Sequence, residues 1–188
     1  MQNELRIIGG RWRRRKLRFP ETGHLRPTPD RVRETLFNWL RHEVEGASCL
    51  DLYAGSGALG FEAASRGAAR VVQVEADAAA HAALERNRGL LEASGVECVR
   101  AEVGRFLTGP AEVFDLVFLD PPFRENLAVP TCRALEERGW LKPWAKIYLE
   151  TERGAALEGL PPDWRLARKG AAGAVAYHLY ERNAEASP

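Results

Sequence analysis

Asp51-Leu52-Tyr53-Ala54-Gly55-Ser56-Gly57-Ala58-Leu59-Gly60 decides the reading of this chain. An apolar run over 49–53 leads into glycines spaced G-x-G-x-x-G, and a helix-forming stretch follows. Glycine at such a turn allows positive φ and close approach of the backbone to a ligand. Glu75 ends the next apolar run, 18 residues after Gly57. A carboxylate there accepts the hydroxyls of an adenosine ribose. Alone, the turn suits either a dinucleotide or S-adenosylmethionine (SAM). Asp51 favours SAM: a carboxylate at the strand end repels a pyrophosphate but attracts an ammonium or sulfonium group. A single α/β layer with no separate substrate domain also disfavours an NAD-dependent oxidoreductase.

Strand and helix patterns alternate outward from this turn. Strands are expected at 49–53, 70–74, 96–100, 114–119 and 146–150, with helices near 58–66, 77–93 and 126–138 and a short one after Val103. The run 114–119 is mostly apolar, as in a strand buried on both faces of a parallel sheet. The runs 164–169 and 174–180 are joined only by Gly170-Ala171-Ala172-Gly173, which predicts a terminal antiparallel hairpin. The fold class is α/β: a doubly wound, Rossmann-like, mostly parallel sheet with that hairpin at one edge. Residues 46–188 form this body. Residues 1–45 form a small arm, a hairpin turning at Gly9-Gly10 and then a helix with Thr28 as N-cap and Pro29 in its first turn.

The fourth strand ends in Asp120-Pro121-Pro122-Phe123. Ligands of open α/β sheets bind outside the carboxyl ends of the strands, so Asp120 shares a rim with Gly55 and Glu75. Two prolines stop the strand and stiffen the loop. Methylation of an exocyclic aromatic amine needs acceptors for its N–H bonds, because its lone pair is delocalised into the ring. An Asp carboxylate and a main-chain carbonyl supply them, and Phe123 offers a face on which a base stacks. Cys132 reads as packing rather than as a catalytic nucleophile.

The 188 residues carry a net charge of +1, which conceals an asymmetry. Residues 1–41 hold eleven Arg/Lys against four Asp/Glu, and the remainder sixteen against twenty-two. A basic arm on an acidic body is the footprint of a polyanion partner. Arg11, Arg13, Arg14, Arg15 and Lys16 would neutralise phosphates, Trp12 would stack on unpaired bases, and Arg26 and Arg31 would line the entrance to the site. Three scattered cysteines suit neither a disulfide framework nor a metal site. Without a long apolar run or a leader-like start, neither membrane insertion nor export is expected; the expected location is cytoplasmic.

Arg6-Ile7-Ile8-Gly9-Gly10 with Trp12, Arg26-Pro27-Thr28, the segment 30–38, the turn 51–60, Asp120-Pro121-Pro122-Phe123 and Val175-Ala176-Tyr177 together resemble the bacterial RsmD family of class I SAM-dependent methyltransferases. The resemblance spans nearly the whole chain. It implies methylation of N2 of a specific guanine in 16S rRNA, with the small ribosomal subunit as partner; a monomer acting without metal is expected. It also implies that Asp51, Tyr53, Ala54, Gly55, Ser56 and Gly57 meet the methionine end of SAM, that Glu75 holds the ribose, and that Glu102 and Val103 flank the adenine. The rival readings are the same chemistry on adenine N6 of DNA or on a protein glutamine, and a non-enzymatic RNA-binding assembly factor.

Overall fold

Strand β3 (Ser48–Leu52) is a central strand of the main sheet. The computed structural model describes residues 2–21 and 27–183. Beyond the arm strands β1 (Gln2–Arg6) and β2 (Lys16–Pro20), seven strands form one sheet in the order β5-β4-β3-β6-β7-β9-β8. These are β4 (Arg70–Glu75), β5 (Val96–Arg100), β6 (Phe114–Leu119), β7 (Leu141–Glu152), β8 (Trp164–Ala172) and β9 (Val175–Arg182). Strands β3 to β7 pair in parallel, whereas β9 pairs antiparallel with both β7 and β8. The doubly wound sheet with a terminal hairpin is therefore present. The chain runs outward from β3 to β5 and then returns to lay β6 on the other side of β3. That reversal opens a crevice at the carboxyl ends of β3 and β6, the ligand position of such sheets.

Two apolar layers cover the sheet. On one face Cys49, Leu116, Phe118 and Tyr148 pack with residues of α1 (Asp30–Trp39), α2 (Ala58–Ser65) and α3 (Ala78–Leu90). On the other, Leu50, Leu52, Val117, Leu119 and Leu149 pack with α4 (Val103–Phe106) and α5 (Ala128–Glu137). Alternation along a strand then assigns faces. Asp51, Asp120 and Glu150, each two residues beyond one of the first set, belong to the face that the arm covers.

The arm is joined to this core. Leu5, Ile7, Trp12, Leu17 and Phe19 share the first layer's apolar cluster. Its hairpin does not turn tightly at Gly9-Gly10: β1 ends at Arg6, and a longer connection over 7–15 precedes β2. The two glycines instead seat that connection on the carboxyl end of α2. A Cβ on Gly10, whose φ is +74°, would lie 1.9 Å from the Ser65 carbonyl oxygen. The Arg11 amide donates to that carbonyl at 2.8 Å.

Two further details differ from the sequence reading. Pro29, not Thr28, is the N-cap of α1 and makes no side-chain cap bond; the Thr28 hydroxyl is engaged by a carboxylate across the fold. Strand β7 begins at Leu141 because a bulge carries the chain past Pro143. Trp144 within it has φ +64° and is exposed.

Candidate active site

The glycine-rich turn is built around two carboxylates. The Gly57 amide donates to the Ala54 carbonyl at 2.8 Å, and the Ala54 amide to Val74 at 3.0 Å. Tyr53, Gly55 and Gly57 all have positive φ, the conformation that glycine accepts without strain. Asp51 is buried at the end of β3, where its Oδ2 accepts the Gly60 amide at 2.9 Å and Gln73 Nε2 at 3.2 Å. It thus fixes the first turn of α2. Glu75 Oε2 accepts the Gly55 amide at 2.7 Å and its Oε1 the Asp77 amide at 2.8 Å. Each carboxylate oxygen retains further acceptor capacity. The Tyr53 hydroxyl lies 2.8 Å from Thr131 Oγ1 on α5. Ala54 and Ser56 are buried. Glu102 is exposed at the head of α4, and Val103 is buried beside it.

Asp120 follows β6 directly. Pro121 is buried, Pro122 is exposed, and Phe123 is half-buried at the start of a 3₁₀ turn (Phe123–Glu125). Leu119 pairs with Leu149 in the parallel register of β6 and β7, so Asp120, just past the end of β6, lies beside Glu150 of β7. Glu150 was not anticipated as a site residue. It is only 3% exposed, and its Oε1 accepts Thr28 Oγ1 at 2.7 Å and the Tyr148 hydroxyl at 3.0 Å. The rule that singled out Asp120 finds it equally well: a carboxylate ends the apolar run Ile147-Tyr148-Leu149 on the ligand rim.

Three carboxylates thus converge from β3, β6 and β7. Burial pushes the Asp51 carboxyl up to about 7, against the pull of the Gln73 and Gly60 bonds, with Glu75 and Glu150 adding repulsion. Burial, then the nearby Glu150 and Asp51, hold Asp120 well above the usual carboxylate range. Burial also raises Glu150, while its two hydroxyl donors oppose the rise. Among the described residues no Lys or Arg forms an ion pair with any of the three. Three carboxylates raised in this way, with no basic partner, favour a cationic ligand, whose charge would restore their ionisation. Among the described residues no cluster of His, Cys, Asp or Glu could hold a metal ion.

The shift at Asp51 has a measurable sign. Its carboxyl moves from 3.8 to about 7 on folding, so the folded state favours the protonated form. The associated stability is full below about pH 4 and is lost as the pH rises through about 7. Asp51→Asn, which keeps an oxygen for the Gly60 amide, should flatten the dependence of stability on pH across that window. Superimposable denaturant midpoints for variant and parent from pH 4 to 7 would remove Asp51 from this role.

The basic residues lie elsewhere. Helices α2 and α3 start at the rim and run to the opposite end of the sheet. The turn carrying Arg11 to Arg15 docks on that far end, at Ser65 and at the Leu90 carbonyl, which Arg15 Nη2 reaches at 2.8 Å. Arg11, Arg13 and Arg14 are exposed, and among the described residues Arg13 and Arg14 have no ion pair. Lys16 pairs with Glu4 at 2.7 Å. Arg31 is exposed on the first turn of α1, whereas Arg26 lies outside the described residues. Trp12 is a correction: its ring is 7% exposed, belongs to the core and is covered by the Arg11 guanidinium at 4.0 Å, so it offers no open face to a base. Tyr177 is likewise buried, between Trp39 and Tyr148.

A further node joins arm to body. Glu62 and Arg33 are both fully buried. Glu62 accepts the Ile8 amide at 2.9 Å, the Gly9 amide at 2.8 Å and Arg66 Nε at 2.8 Å. Arg33 reaches Glu62 at 3.4 Å, Asp30 at 2.5 Å and the carbonyls of Arg6 and Thr28 at 3.0 and 3.2 Å. The only sequence signal is a lone charge in the apolar helix ALGFEAAS.

A family model described as "Conserved hypothetical protein 95" matches residues 5–181. The chain belongs to this family, the RsmD family. Among RsmD-family relatives, Ribosomal RNA small subunit methyltransferase D of Escherichia coli K12 is 47% identical over 97% of this chain and 92% of its own length. The protein of that name from Haemophilus influenzae is 45% identical over 96% of this chain and 95% of its own length. The solved structure of yhhF from E. coli superposes with a TM-score of 0.91 at 46% identity, covering 97% of this chain and 99% of that one.

Proposed function

We propose that this protein transfers a methyl group from SAM to the exocyclic N2 of a specific guanine of 16S rRNA within the small ribosomal subunit. The observation that carries the reading is Asp120-Pro121-Pro122-Phe123 at the carboxyl end of β6, beside the glycine-rich turn of β3. The names of the relatives support rRNA as the substrate class.

SAM supplies an electrophilic methyl on a sulfonium centre. Glu75 is placed to accept its ribose hydroxyls, Asp51 and the turn from Tyr53 to Gly57 to receive its methionine end, and Glu102 and Val103 to flank its adenine. Asp120 and a carbonyl of the Pro-Pro loop accept the N–H bonds of the target amine and aim its lone pair, while Phe123 stacks on the base. The rate then comes from alignment and preorganised charge. A guanine reaches this rim only when splayed out of its stack. Arg11, Arg13 and Arg14 hold the flanking backbone by charge. The protein works as a cytoplasmic monomer and without metal.

Transfer of label from SAM to small subunits lacking the modification, followed by mapping of the labelled nucleotide, tests this. Label on guanine N2 of 16S rRNA is expected. Label on adenine or on ribosomal protein would move the assignment to another amine, and none at all would overturn it.

A further inference from the structure

Methyl transfer to an amine leaves a proton that must go somewhere. The nitrogen–methyl bond forms as the methyl–sulfur bond breaks, the electron pair of the broken bond stays on sulfur, and the nitrogen becomes cationic until it sheds one hydrogen as a proton. Asp120 is the adjoining acceptor. The residue beside it, Glu150, contributes nothing to the glycine turn or to the Pro-Pro loop, yet it is a carboxylate with 3% exposure, and two hydroxyls aim at the same oxygen. One of them, Thr28, comes from the segment that leads into α1, 122 residues away in sequence. A buried carboxylate placed next to another is costly.

We propose that Glu150, anchored by Thr28 of the arm and by Tyr148, is a positioning residue that keeps Asp120 a strong proton acceptor for the amine. This rests on the methyl-transfer reading above. Three observations support it. The β6–β7 register places the two carboxylates side by side, one residue past its last pair, Leu119 and Leu149. Both belong to the face that the arm covers, with Glu150 buried and Asp120 half-buried beside it. The hydroxyls of Thr28 and Tyr148 favour negative charge on Glu150 against the opposing effect of burial, and that charge makes a proton on Asp120 more favourable. A more basic carboxylate is both a better acceptor for the amine's hydrogen and a better recipient of the proton released. The other titratable groups facing Glu150 are Asp51 from β3, Tyr148 on its own strand and Tyr177, its partner on β9. Among the described residues no Lys or Arg hydrogen-bonds Glu150 or Asp120. The arm therefore does more than carry positive charge: its seating supplies one of the two donors that fix Glu150.

The test is the pH profile of methyl transfer to small subunits by full-length parent, Glu150→Gln, Thr28→Val and Thr28→Ser. Removing the Glu150 charge lets Asp120 ionise at lower pH but weakens it as a base. Glu150→Gln should therefore shift the acidic limb of kcat downward by about one pH unit and lower the alkaline plateau by roughly tenfold, with KM for SAM unchanged. Thr28→Val should shift the limb in the same direction by a smaller amount, and Thr28→Ser should restore it. A lower plateau with an unshifted limb in both variants would reduce Glu150 to a packing role and overturn the proposal, as would a Thr28→Ser profile matching that of Thr28→Val. If Glu150→Gln fails to fold, the Thr28 pair alone decides. Absence of transfer by the parent would instead count against the methyl-transfer reading.

Discussion

Asp120→Ala is expected to lower methyl transfer by about 10²–10⁴-fold while leaving SAM affinity within a few-fold of the parent. The carboxylate lies past the end of β6, next to the loop that would seat the target base rather than in the glycine turn. Its loss removes an acceptor for the amine and a destination for its proton. It removes none of the groups placed to hold the ribose or the adenine. Asp120→Asn should fall in between, since the amide retains one acceptor oxygen but cannot take the proton at neutral pH. Single-turnover transfer together with equilibrium binding of a SAM analogue separates the two effects. Parent-like rates in Asp120→Ala would remove this residue from the chemistry.

Glu62→Ala should be the most destabilising single change, at about 3–5 kcal/mol. The cost does not come from the strength of the ion pair, whose closest approach to Arg33 is 3.4 Å. It comes from what is left behind: two amides, of Ile8 and Gly9, without their acceptor, and a fully buried guanidinium whose one remaining carboxylate is the exposed Asp30. In a domain of this size the loss corresponds to a fall in Tm of roughly 6–20 °C. Thermal and denaturant unfolding would measure it, and a change below about 1 kcal/mol would show that the node is dispensable. Combining Glu62→Leu with Arg33→Met should recover part of the loss, because no charge then remains buried.

The sequence made the sheet legible because its determinants are local. The G-x-G-x-x-G turn, the apolar run of β6 and the alternation of strand and helix each fix an element without reference to distant residues. Asp120 and Glu75 were found by the same logic, as carboxylates at strand ends. What escaped depends on contacts between distant segments. Thr28 has the composition of an N-cap, but the helix begins one residue later, after Pro29, and the Thr28 hydroxyl donates instead to Glu150 across the fold. Gly9 and Gly10 have the look of a hairpin turn but serve close approach to α2. Trp12 reads as a stacking residue because it sits among arginines; only packing shows that its ring is turned inward. Arg33 and Glu62, 29 positions apart, have no shared local signature at all.

The separation of the basic turn from the catalytic rim has a consequence for what counts as substrate. Helix α3 runs for 13 residues between the two, a span of about 20 Å. That equals roughly six nucleotides stacked at 3.4 Å each. On the proposed reading a protein of this shape would work as a ruler: a free nucleoside or a very short oligonucleotide would reach one end only. Full engagement would then call for a structured particle that presents its sugar–phosphate chain and its extruded base at a fixed distance, with recognition written in the geometry of the target rather than in the letters around it.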